Sequence, residues 1–140
     1  MAERGKRYVA LDFGAESGRT IVGRFDGDQL SIEPVHRYLN TPVRMGGTLY
    51  WDFPRQFGDI LAGLTRAAAD GPVHSVSVDT WGVDYGFIDG RGRLLANPVH
   101  YRDNRHEKML DVAFASVPRE ELYMATGIQF MSINTLYQLL

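Results

Sequence analysis

The sequence predicts an α/β fold on a mixed sheet: three antiparallel strands, then a helix, then a fourth strand lying parallel to the first. Three observations carry this. Residues 8–13 form an apolar run, and residues 19–25 alternate with the two-residue period of a strand. Pro34 interrupts a third strand-like stretch from Leu30 to about Tyr38, and a proline, which cannot donate to a ladder, places that strand at a sheet edge. A helical stretch at 54–70 leads at once into Val73, Val76 and Val78, and strand, helix, strand returns the chain beside its first strand.

Between the first two strands stands "GAESGR". A plain β-hairpin accounts for it, with glycines serving only the turn and Asp12 accepting backbone hydrogen bonds. A turn shaped for phosphate accounts for it too. Small residues let a ligand approach the backbone, and successive N–H groups form a concave anion site. Asp12, at the strand's carboxyl end, can act through a hydrated Mg²⁺, while Ser17 and Arg19 can donate to phosphate oxygens. It is no Walker loop, because the Gly-Lys-Ser/Thr is missing.

Asp26-Gly27-Asp28 is a tight turn into the third strand. After a Gly-rich loop from Arg44 to Thr48, Phe57, Ile60, Leu61, Leu64, Ala67 and Ala68 share one helical face. Asp52 and Pro54 suit the start of that helix and Gly71-Pro72 its stop.

In "SVDTWGVDYGFID" Asp79 ends the returning strand, and Thr80, Trp81 and Gly82 follow where ligands collect in α/β sheets. Trp81 either packs on a sugar face or belongs to the core. Gly82 either lets a ligand touch backbone or marks a bulge, and Asp84 is read as a structural hydrogen-bond partner. "YRDNR", residues 101–105, can clamp a polyhydroxyl ligand through Arg102 and Asp103; Asp103 or Asn104 can instead cap a helix over 104–116, with Asn104 the preferred cap and Asp103 evenly placed between the two roles. A second helix is expected over 118–126, stopped by Gly127, and a third begins at Asn134. That last stretch, "INTLYQLL", has no C-cap, basic last turn or polar tail, so the chain is expected to belong to a longer protein.

With 44% apolar and 23% charged residues over 140 positions, the composition is that of an ordinary globular domain. A net charge of −2 offers no basic excess for nucleic acid. The absence of cysteine excludes disulfide and thiolate chemistry. No apolar stretch approaches the roughly 18 residues of a membrane span, and Met1 to Arg7 form a basic leader without the apolar segment of a signal peptide. A cytoplasmic protein with small-molecule partners, and neither nucleic acid nor membrane, is the expectation. His36, His74, His100 and His106 have no metal-pair spacing and are read as surface or structural histidines.

The segments "ALDFGAESGR", "YWD", "SVDTWGVDYGFID", "NPVHYRDNR" and "GIQFMSINTLYQL", in this order, resemble the amino-terminal part of the FGGY carbohydrate kinases, and within them the members acting on L-rhamnulose. The first segment is shared with other actin-like ATPases; "DTWGVDY" with "YRDNR" and "GIQF" is the specific part. The resemblance implies a ribonuclease-H-like (actin-type ATPase) domain, here incomplete, with residues 1–140 forming the amino-terminal part of the first of two domains. It implies ATP and Mg²⁺, with Ala15, Glu16, Ser17, Gly18 and Arg19 in the phosphate loop, Asp12 near the metal through water, and Gly82 on the sugar. Thr80, Trp81 and Arg102 are further sugar-side candidates. The reaction implied is transfer of the ATP γ-phosphoryl group to the 1-hydroxyl of L-rhamnulose. In the family the catalytic base lies beyond the part corresponding to residue 140, so the chain alone is expected to be inactive. An incomplete domain leaves apolar sheet surface uncovered, and self-association is expected from it.

Two other functions fit some of these residues. A binding module of the same fold, without the catalytic half, would hold sugar or nucleotide without turnover. A ribonuclease-H-like nuclease would use Asp12 and Asp79 as paired metal-binding carboxylates, but leaves the "DTWGVDY" and "GIQF" matches unexplained.

Overall fold

The computed structural model describes residues 6–140, which divide into two compact units, residues 6–41 with 52–81 and residues 42–51 with 82–140.

The first unit contains β1 (Lys6–Phe13), β2 (Ser17–Phe25), β3 (Leu30–Leu39), a helix α1 (Phe53–Ala69), and a returning strand Ser75–Thr80, which is β6 because two short strands precede it in the chain. The sheet order is β3-β2-β1-β6, antiparallel between β1, β2 and β3 and parallel between β1 and β6. The predicted mixed sheet is therefore the observed one, and β3 lies at an edge. Val35 bulges out of β3 beside Pro34, where the register with Thr20 and Ile21 shifts. Alternation then sorts the side chains: Val9, Leu11, Phe13, Thr20 and Val22 are buried, whereas Ala10 and Arg19 are exposed. Val9, Leu11, Val22 and Ala67 form the core, with Val35, Ile60, Leu64 and Val73 packed against it. Each aliphatic side chain fully buried there contributes about 1.5–3 kcal/mol.

The helix is turned from the face periodicity predicts: Ile60, Leu64 and Ala67 of that face meet the core, but Phe57, Leu61 and Ala68 do not. Gln56, Gly63 and Ala67 are buried, while Phe57 and Leu61 are 53% and 49% exposed. The reason is a close approach. A Cβ on Gly63 would fall on Thr20 Oγ1 and lie 2.9 Å from Thr20 Cβ, so α1 touches β2 where it has no side chain. Gly63→Ala is expected to lower stability by about 2 kcal/mol, an overpacking cost of about 3 reduced by the roughly 1 that alanine gains in a helix. Thr20→Ala in the same chain should recover part of that loss in chemical denaturation; equal losses in both backgrounds would contradict the contact.

Arg7, read from sequence as part of a leader, is 7% exposed. Its guanidinium donates to the carbonyls of Ala67 at 2.6 Å and Gly71 at 2.5 Å, closing the end of α1 with a positive charge. At the other edge of the sheet, Val76 and Val78 on β6 remain 49% and 58% exposed.

The second unit opens with β4 (Val43–Met45) and β5 (Thr48–Tyr50), so the predicted Gly-rich loop is a hairpin. Gly46 and Gly47, at φ 58° and 89°, make its two-residue turn, which requires positive φ at both positions. The helix predicted over 104–116 is a single 3₁₀ turn, Asn104–His106, followed by α2 (Met109–Ser116). Its cap is Asp103, whose carboxylate accepts from Arg105 N–H, and not Asn104. Both residue types cap equally well, and only Asp103 lies where Leu49 N–H also reaches it, at 2.6 Å. Next come α3 (Arg119–Thr126), ended by Gly127 at φ 64° as expected, and α4 (Thr135–Gln138). Around them Phe114, Tyr123, Phe130 and Tyr137 meet edge to face, with the Arg119 guanidinium over Phe114 and Phe130.

Candidate functional site

In the first unit the turn Gly14-Ala15-Glu16 joins β1 to β2. Asn40, at the end of β3 and 3% exposed, ties it down: Asn40 N–H donates to the Glu16 carbonyl at 3.0 Å and Asn40 Nδ2 to the Gly14 carbonyl. The turn's carbonyls are thus engaged from one side. The amides of Ala15 and Glu16 donate to no protein acceptor among the described residues. Gly18 has a separate reason to be glycine, because the Tyr38 ring occupies the place of a Cβ. Burial, with the Asp59 and Asp12 carboxylates, pushes the Tyr38 hydroxyl up to about 12 and keeps it neutral.

Register places Arg37, Arg19, Asp12 and Asp79 in one row across the four strands, on the sheet face turned away from α1. Asp12 accepts from Arg19 Nε at 2.9 Å and from Arg19 Nη2 through the same oxygen, Oδ2. Among the described residues it accepts no backbone hydrogen bond, so its partner is the Arg19 side chain and not the turn. Oδ1 makes no hydrogen bond among the described residues, and Asp12 pairs in register with Asp79 on the neighbouring strand, at the usual strand spacing of about 4.8 Å. Such a carboxylate fits a cation that keeps most of its waters. Thr80 is exposed at the end of β6, and Trp81 is half-buried, stacked on Phe13 with 5.3 Å between centroids and 8° between planes.

In the second unit Gly82, Val83 and Asp84 form a three-residue turn, closed by Asp84 N–H donating to the Gly82 carbonyl at 3.0 Å. Val83 has φ 71°, the strained γ-turn conformation, rare for a β-branched residue. Gly82 is exposed, needs no positive φ, and a Cβ there would meet nothing within 4 Å. No protein contact explains this glycine. Asp84 is structural, as expected: its Oδ2 accepts from Trp51 Nε1 at 2.8 Å, and Trp51 is 2% exposed and stacked on His100 at 4.0 Å. Of the "YRDNR" residues, Asp103 is buried as a structural carboxylate, while Arg102 is exposed with its guanidinium over the Tyr101 ring.

Burial lowers both His100 and His106, the former against the raising effect of Asp84, the latter helped by Arg105. Burial opposes the charge of Asp103, yet the Leu49 and Arg105 amides hold its carboxyl below the usual value of 3.8. The signs give a pH dependence. Above the ordinary histidine value of 6.5 both states are neutral and stability is complete. As pH falls through that value, the unfolded chain takes up protons first and stability is lost. The Trp51 indole resonance is expected to report a lower melting temperature at pH 5.5 than at 7.5; a flat profile would contradict two buried neutral histidines.

No family model matches the chain. A rhamnulokinase of Oceanobacillus iheyensis is 39% identical over 133 residues, covering 94% of this chain and 28% of that protein. Over that stretch the chain is similar to a carbohydrate kinase. It spans little more than a quarter of that relative's length. Among solved structures, a gluconate kinase and a ligand-bound xylulose kinase of Lactobacillus acidophilus each superpose with a TM-score of 0.75 at 16% and 17% identity, over 96% of this chain and 27% of theirs. At that identity they establish the fold, the actin-like ATPase fold of sugar kinases.

The expected residues fall into two groups, Asp12 to Arg19 with Thr80 and Trp81 in the first unit, Gly82 and Arg102 in the second. Sequence reasoning missed Asn40 and Arg37. The available signal was slight: a polar residue closing an edge strand just before Thr41-Pro42, where the chain must leave the sheet.

Proposed function

We propose that residues 1–140 are the amino-terminal part of the first domain of a cytoplasmic, ATP-dependent rhamnulokinase, which transfers the γ-phosphoryl group to the 1-hydroxyl of L-rhamnulose. The observation that carries this is the turn at Gly14–Glu16, whose carbonyls are held by Asn40 while the Ala15 and Glu16 amides stay available to an anion. The 39% identity to a rhamnulokinase supports the choice of sugar. Ala15, Glu16, Ser17 and Gly18 supply backbone to the phosphates, and Arg19 exchanges Asp12 for a phosphate oxygen. Asp12 holds Mg²⁺ through water. When bound, the ion offsets charge on the phosphate oxygens. Gly82 lets the sugar approach the backbone, with Thr80, Trp81 and Arg102 as further contacts. The sugar oxygen bonds to the γ-phosphorus as the bond to the β–γ bridging oxygen breaks, and the hydroxyl proton passes to a carboxylate outside these residues, so the chain alone binds without turnover.

Amide spectra of the ¹⁵N-labelled chain test this. Tripolyphosphate with Mg²⁺ is expected to shift Ala15 and Glu16, and L-rhamnulose to shift Gly82; silence at these amides with millimolar ligand would overturn it. Gly82→Ala is expected to leave thermal stability within about 0.5 kcal/mol, as at other surface positions, while weakening L-rhamnulose at least tenfold.

A further inference from the structure

We propose that Thr135 and Gln138 are positioning residues that hold the strained turn at Val83 and so fix the backbone of Gly82. Beyond the aromatic packing of Phe130 and Tyr137, the segment "GIQFMSINTLYQL" brings two polar side chains to one atom. The Val83 carbonyl accepts from Thr135 Oγ1 at 2.7 Å and from Gln138 Nε2 at 3.0 Å. Gln138 is 6% exposed and its Nε2 is anchored a second time, on the Ile133 carbonyl at 2.7 Å. Tyr85 Oη, two residues beyond Val83, donates to the Gln138 carbonyl at 3.0 Å, so the turn and α4 grip each other from both sides.

The physical need for such a grip is plain. A valine at φ 71° relaxes to negative φ unless its surroundings over-determine it. Relaxation would rotate the peptide planes on either side of Val83 and break the Asp84 to Gly82 hydrogen bond. Gly82 would keep its place in the chain but lose its orientation. Two donors on one carbonyl oppose that rotation, because turning the carbonyl away would leave the Gln138 amide, already buried, without one of its acceptors. Strain held in this way beside an exposed glycine that no protein contact requires is the arrangement of a prepared binding surface.

The inference rests on the assignment of Gly82 to the sugar. The experiment uses the 140-residue chain, with L-rhamnulose as probe, the Gly82 amide as reporter of binding, and the φ-sensitive scalar couplings of Val83 as reporter of conformation. Unsubstituted chain that gives no Gly82 shift overturns the sugar assignment and this inference with it. Where the unsubstituted chain binds, the Thr135→Val, Gln138→Ala double variant is expected to lose the positive-φ couplings of Val83 and at least tenfold in affinity. Adding Val83→Gly, which adopts positive φ without strain, is expected to restore affinity to within about threefold of the original. That rescue separates positioning from mere support of the fold. Unchanged affinity in the double variant, or a loss that Val83→Gly does not recover, would overturn the proposal.

Discussion

Asp12→Asn is expected to lower kcat by about 100- to 1,000-fold while moving stability by less than about 1 kcal/mol. The asymmetry follows from the geometry. The Asp12 to Arg19 pair is partly exposed, with side-chain accessibilities of 32% and 48%, and such pairs contribute about 0–1 kcal/mol. Asp79 stands next to Asp12 in register, so removing one charge also relieves a like-charge neighbour. Against this, a metal-holding carboxylate supports several kcal/mol of charge stabilisation in phosphoryl transfer, and each 1.4 kcal/mol is about tenfold in rate. Activity is read in a chimera in which this chain replaces the matching stretch of the Oceanobacillus iheyensis rhamnulokinase, and stability in the 140-residue chain. A large stability loss with modest kinetic effect would return Asp12 to a structural role.

Arg7→Met is expected to act the other way, lowering stability by about 2–4 kcal/mol and leaving the turn amides where they are. Two charge-assisted hydrogen bonds close the last turn of α1, each contributing roughly 1.5–3 kcal/mol, and methionine leaves the Ala67 and Gly71 carbonyls without those donors. The gain from no longer burying a guanidinium, whose Nε lacks a partner, offsets part of that. Urea denaturation gives the loss directly; a change under about 1 kcal/mol would mean that water replaces the arginine at the helix end.

The sheet was legible because its signals are local: an apolar run, a two-residue alternation, a proline that only an edge strand tolerates, and a glycine-proline stop. What was illegible depends on contacts between elements. The face of α1 turns on Gly63 meeting Thr20, which no helical period contains. Arg7 reads as a solvated leader until the end of α1 arrives above it. Asp103 and Asn104 are equivalent caps until Leu49 selects one. At the site, the small residues of the first turn and the isolated Gly82 were visible as candidates, since their composition is itself the signal. Asn40 and the positive φ of Val83 were not, because a carbonyl held from another strand, or a β-branched residue kept under strain, leaves no trace in residue type.

The central claim is that these residues present a phosphate turn and a sugar-facing glycine belonging to one kinase. The most direct measurement is a coupled assay of the folded chimera with ATP, Mg²⁺ and, in parallel, L-rhamnulose, xylulose, gluconate and glycerol. ATP-dependent phosphorylation of L-rhamnulose in preference to the other three, abolished by Asp12→Asn, is the predicted result. A folded chimera that prefers another of these acceptors, or phosphorylates none, would contradict it.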